Sequence, residues 1–118
     1  MYGVPKDLPL QRFIGDFLSQ VCLGMDGVHF NFGRSGTIFA EGNWKLQDSS
    51  GQLVDMAMEH AARDAYRLHV IFNAEVTAFS IDPPRSFSLT FDTGHVLTIY
   101  DDTTQYESFH IEPDGITV

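Results

Sequence analysis

Five side chains near the end of the chain are of types that could do chemistry together: Asp101, Asp102, Tyr106, Glu107 and His110. Three carboxylates so close in sequence could hold a divalent cation through oxygen ligands. Their spacing lacks the Asp-x-Asp-x-Asp-Gly run of a calcium loop, so no metal site is expected. Asp101-Asp102-Thr103-Thr104 reads instead as a turn whose side chains cap backbone N–H groups. In a strand of period two, Glu107 shares a face with Phe109 and Ile111, and Tyr106, Ser108 and His110 share the other. At the rim of a core, Glu107 either caps the preceding turn or, with its pKa raised by desolvation, acts as a general acid or base. All five are assigned to binding, and no residue is assigned to catalysis or to a metal.

The remaining chemistry-bearing residues form no complete signature. The five histidines (His29, His60, His69, His95 and His110) show neither His-x-His nor His-Glu-x-x-His spacing. There is no Gly-x-Ser-x-Gly elbow, and Gly24, Gly27, Gly33 and Gly36 lie at hairpin turns and not ahead of a helix, so no phosphate loop is read. Cys22 is the only cysteine; no intrachain disulfide can form, and its neighbours are those of a strand residue. No cofactor is expected.

Charge narrows the partners. The chain carries a formal charge of −9, and residues 86–118 hold six acids and no Lys or Arg. Nucleic acid is excluded as a partner, since phosphate binding needs clustered cations. An acidic surface would instead keep the protein soluble or steer a basic protein toward it. The N-terminal residues lack the pattern of a signal peptide, and no stretch approaches the ~20 apolar residues of a membrane span. A reducing cytoplasm and no membrane contact are the expectation.

These side chains need a scaffold, and 118 residues suit a single domain, 1–118. Ten Phe point to a core of aromatic packing in sheets. Phe13–Leu23 reads as a first strand with an irregular start at Gly15-Asp16. Val28–Phe32 and Phe87–Phe91 alternate strictly, and Gly33-Arg34-Ser35-Gly36 and Asp92-Thr93-Gly94 supply turns. Thr37–Glu41 reads as a strand interrupted at Gly42-Asn43 and continued at Trp44-Lys45-Leu46. Leu53-Val54, Val76–Ile81, His95–Tyr100 and Tyr106–Ile111 read as further strands. Between about Met56 and Phe72, Ala57, Ala61, Ala65 and Leu68 make an apolar stripe that predicts a helix, with Asp55 as N-cap and Asn73 as a left-handed terminator.

The two halves resemble each other. Val28–Phe32 corresponds to Phe87–Phe91, and Thr37–Glu41 to Val96–Tyr100. The expected fold is α+β: two meander-like halves in a mainly antiparallel, curved sheet or partly open barrel, with the one helix packed on it. His29, Asn31, Ser88 and Thr90 would give the outer face an uncharged, hydrogen-bonding character, as expected where a second subunit of a homodimer or another protein docks.

Leu97–Ile111, with its Tyr-Asp-Asp and Gln-Tyr-Glu-Ser runs, together with Ser86–Gly94, resembles a family of small, functionally uncharacterised bacterial proteins. A looser likeness of size, charge and β-content links such domains to immunity proteins of bacterial toxin systems. That likeness implies a non-catalytic protein-binding module that occludes a partner through its acidic surface. The alternative is a small-ligand binder or enzyme using Glu107 with nearby Tyr and His.

Overall fold

The computed structural model describes residues 3–24, 27–57, 65–101, 109–112 and 116–117. They contain ten strands: β1 (Leu18–Leu23), β2 (Val28–Phe32), β3 (Thr37–Ala40), β4 (Trp44–Gln47), β5 (Leu53–Met56), β6 (Val76–Asp82), β7 (Ser86–Phe91), β8 (Val96–Tyr100), β9 (Phe109–Glu112) and β10 (Ile116–Thr117). The strands form two five-stranded antiparallel sheets, ordered β1-β2-β3-β9-β10 and β5-β4-β8-β7-β6. Alternation decides which side chains go inward: Val28, Phe30 and Phe32 are buried, as are Phe87, Leu89 and Phe91. The inner faces meet in one core. Phe30 of the first sheet packs edge-on against Trp44 of the second, with centroids 5.9 Å apart, and Phe87 packs against Phe109 at 5.0 Å. Each such side chain contributes roughly 1.5–3 kcal/mol through burial.

The expected helix is a correction. Among the described residues there is no α-helix and no closed barrel, so the fold is mainly β and not α+β. Residues 58–64, the middle of the expected helix, lie outside the described residues. At its start, Leu53–Met56 pairs with β4, and the alanine stripe offers too little apolar area to outweigh that pairing. At its end, Leu68–Ile71 forms a 3-10 turn, whose three-residue repeat buries Leu68 and Ile71 together. Asp55 does cap backbone groups, but not a helix. It is 6% exposed. One of its oxygens accepts the N–H of Met56 at 2.8 Å and the other that of Arg67 at 2.7 Å, tying β5 to the segment ahead of the 3-10 turn. Asn73 takes the left-handed conformation, φ 63°, after that turn. No described helix is long and apolar enough to cross a membrane.

A pseudo-two-fold relation organises everything else. Each half opens with a 3-10 turn, Gln11–Phe13 or Leu68–Ile71, and a left-handed residue, Gly15 or Asn73. A bulged strand follows, with the register shift at Leu18/Gln20 in β1 and Val76/Ala78 in β6. The two openings pair with each other about the bridge between Phe17 and Glu75. The N–H of Gly15 donates to Val76 O and that of Asn73 to Leu18 O, at 2.8 and 2.9 Å. The N–H of Val76 donates to Asp16 O and that of Leu18 to Ala74 O, at 2.8 and 3.1 Å.

The halves then exchange strands. After β3, Glu41-Gly42-Asn43 carries the chain across to the second sheet, where β4 pairs with β8. After β8 the chain returns, and β9 pairs with β3. The residues read as an interruption of one strand are thus the crossing between two sheets. Trp44 and Leu46 lie opposite Ile99 and Leu97 as Phe109 and Ile111 lie opposite Ala40 and Ile38.

Candidate functional site

Of the five residues assigned to binding, Asp102, Tyr106 and Glu107 lie outside the described residues. Asp101 follows β8, half-buried, and its Oδ2 accepts the N–H of Gly3 at 2.7 Å. Its own N–H donates to Arg85 O at 2.7 Å, and Val4 N–H donates to Pro84 O at 2.9 Å. Asp101 therefore ties the N-terminal arm to the end of β8 and to the turn between β6 and β7.

His110 sits elsewhere, on the outer face of the first sheet. Registered pairing sets Cys22 opposite His29, His29 opposite Phe39, and Phe39 opposite His110. Three of these side chains stack across the strands. The His29 and Phe39 rings lie 4.0 Å apart and 14° from parallel, and the Phe39 and His110 rings 5.8 Å apart and 19° from parallel. His110 Nε2 is 3.4 Å from Glu41 Oε2, each side chain about one-quarter exposed. A second row is polar. Thr37 Oγ1 donates to Asn31 Oδ1 at 2.6 Å, and Asn31 Nδ2 donates to Gln20 Oε1 at 3.0 Å and faces Cys22 Sγ at 3.6 Å. Those bonds fix which way the Asn31 amide points.

The second half serves as an internal comparison. Matching positions in the second sheet are Ser80, Ser88, Thr98 and Lys45, which pair in the same row. That is an ordinary solvated strand face. Where the first sheet holds the Glu41–His110 pair, the second holds Lys45 over the Tyr100 ring at 5.8 Å. The backbone therefore does not require an aromatic–imidazole row; the first sheet has one in addition to what folding demands. Ser88 and Thr90, expected beside His29 and Asn31, lie on the other sheet. Phe39 was missed in sequence; the available signal was an aromatic ring at an outward position between Thr37 and Glu41.

A second cluster was also missed. Asp16, 7% exposed, organises the β2–β3 turn. Its Oδ2 accepts the N–H groups of Arg34 and Ser35 at 2.8 and 2.7 Å and the Ser35 hydroxyl at 2.6 Å, and its Oδ1 accepts the Phe17 N–H at 2.9 Å. Burial opposes the charged form, but the Ser35 hydroxyl and the N–H groups of Arg34, Phe17 and Ser35 outweigh it and hold the carboxyl below its ordinary range. In sequence Asp16 signalled only an irregular strand start, because its partners lie a whole hairpin away.

Among the described residues no group of three or more His, Cys, Asp and Glu is placed to hold a metal ion. Cys22 is an exposed free thiol on β1. Set against models of known protein families, against curated proteins and against solved structures, the chain matches none.

Proposed function

We propose that the chain is a non-catalytic protein-binding module of the immunity-protein kind, acting in the cytoplasm, with the outer face of its first sheet as the contact surface. The observation that carries this reading is the His29–Phe39–His110 row, present in one sheet and replaced by Ser88, Thr98 and Lys45 in its structural counterpart. Stacked rings supply rigid, amphipathic contact area at little cost in side-chain entropy, a composition suited to interfaces. Glu41 and Glu112 border the row, and the net charge of −9 favours a basic partner. Asp102, Tyr106 and Glu107 precede β9 in the chain.

The second half supplies the variant that tests this. Wild-type chain and the triple variant His29→Ser, Phe39→Thr, His110→Lys would be immobilised and exposed to native cytoplasm at low salt, with bound proteins identified by mass spectrometry. A basic protein retained by the wild type and lost from the variant is expected. Identical retention by both chains sinks the proposal. A second copy of the chain is the competing occupant, which a solution mass of one chain at micromolar concentration would remove.

A further inference from the structure

Among the described residues seven large apolar side chains are exposed, and four of them fall in the two segments that open the halves. Ile14 and Phe17 lie in one, Val70 and Phe72 in the other, and they are 37%, 46%, 36% and 49% exposed. Those segments pair about the Phe17–Glu75 bridge, so the four side chains gather around one place on the surface. Residues opposite each other in an antiparallel pair project to the same side, which puts Phe17 and Glu75 together on the outside. Ile14 and Phe72 lie three residues before them along the two segments. Their neighbours Phe13, Asp16, Ile71 and Ala74 turn inward and are buried.

Opposite charges border this patch. On one side Gly33 N–H donates to Phe17 O, and the next residue is Arg34; on the other, Asp92 N–H donates to Glu75 O. Arg34, Glu75 and Asp92 are all exposed. The line Arg34, Phe17, Glu75, Asp92 thus runs from positive to negative across an apolar centre. A uniformly basic partner would be repelled at Arg34, and a uniformly acidic one at Glu75 and Asp92. A surface of the same build matches both ends.

We infer that this patch is the contact between two copies of the chain. A half-turn about an axis lying in the interface, parallel to the Phe17 segment, brings Arg34 of each copy over Asp92 of the other. The same rotation sets Ile14 and Phe72 of one copy against Ile14 and Phe72 of the second, and it closes the pair. Burial of the apolar centre drives association. The charges fix its orientation, since the reverse alignment would set Arg34 against Arg34. No residue of the His29–Phe39–His110 row takes part, so the inference holds or fails apart from the reading of the first sheet.

The test is sedimentation equilibrium of the full-length chain at low salt, from micromolar to millimolar concentration. A monomer–dimer equilibrium that stops at two chains is expected. Phe72→Ser, Arg34→Glu and Asp92→Arg should each raise the dissociation constant about tenfold or more, because every substitution acts twice in a symmetric contact. Gly33 holds the place of Asp92 in the first half, so the turn closes without that carboxylate. An equimolar mixture of the Arg34→Glu and Asp92→Arg chains should recover wild-type affinity, each supplying the charge that the other lacks. A misfolded variant could not be rescued in this way. The triple variant of the first sheet should dimerise as the wild type does. A mass of one chain up to millimolar concentration overturns the inference, as does growth beyond two chains or a mixture no tighter than its components. A dimer lost in the first-sheet variant and kept in Phe72→Ser overturns it as well.

Discussion

Gly15 and Asn73 hold matching places in the two halves: φ is 88° at one and 63° at the other, and each donates its N–H to the strand that the other precedes. Each lies two residues past the end of its 3-10 turn, where the chain reverses toward the strand that follows. A Cβ at Gly15 would meet nothing within 4 Å, so replacement costs backbone strain alone. Gly15→Ala should lower stability by roughly 1–2 kcal/mol, and Gly15→Asn by distinctly less. Urea unfolding of the two variants measures the difference; equal losses would contradict it.

Asp16 predicts an acid-sensitive fold. Its carboxyl is held below the ordinary range in the folded state, so its contribution is fully present above the unfolded value, near 3.8, and fades as pH falls through the folded value. Asp16→Asn would set an amide NH2 or a weaker acceptor against the N–H groups of Arg34 and Ser35. A loss of roughly 1–3 kcal/mol at neutral pH is expected. The variant should also lose part of the wild type's decline in stability below about pH 4, where the wild-type carboxylate takes up its proton. Denaturation midpoints at pH 7 and pH 3 check both statements.

Asp55 should matter for stability and not for binding. Its buried carboxylate satisfies the N–H groups of Met56 and of Arg67, the latter twelve residues further on from Asp55, so Asp55→Ala leaves two donors without that acceptor. A loss of about 2 kcal/mol or more is expected. Thermal melting reads it. A melting point equal to wild type would mean that water replaces the carboxylate at no cost.

Strand exchange predicts one cooperative transition. Trp44 lies in the second sheet, is 3% exposed, and packs against Phe30 of the first, so its fluorescence reports on both sheets at once. Unfolding followed by fluorescence and by far-UV circular dichroism should coincide. Trp44→Phe, which copies Phe109, should cost less than Trp44→Ala, where about 3–5 kcal/mol is expected. Separate midpoints for the two signals would mean that the halves unfold independently.

How much of this was legible in the sequence depends on how local each determinant is. Val28–Phe32 and Phe87–Phe91 announce themselves, because a half-buried strand alternates whatever it pairs with. Even the correspondence between halves was visible there. The helix over 56–72 was misread because the spacing of Ala57, Ala61, Ala65 and Leu68 fits a helix, while β5's pairing with β4 is not a local property of that stretch. Gly42-Asn43 looked like a flaw in one strand, since nothing nearby reveals that Trp44 belongs to another sheet. The site divided in the same way. The outward polarity of His29 and Asn31 was readable from alternation, whereas the stacking of Phe39 between His29 and His110 needs the β3–β9 register, and the Asp16 turn needs contacts across a hairpin.

The exchange of strands also sets the order in which a nascent chain can close its core. The edge of Thr37–Ala40 receives its partner only when Phe109–Glu112 has been synthesised. Until then one side of β3 keeps bare N–H and C=O groups, and Phe30, already in place, waits for Trp44's sheet to be completed by β8. Such distant pairings slow folding, because the loop must close before the contacts that reward it can form. On the ribosome, therefore, the first sheet stays unfinished until Phe109–Glu112 has emerged, with an exposed edge that any other extended segment could meet first.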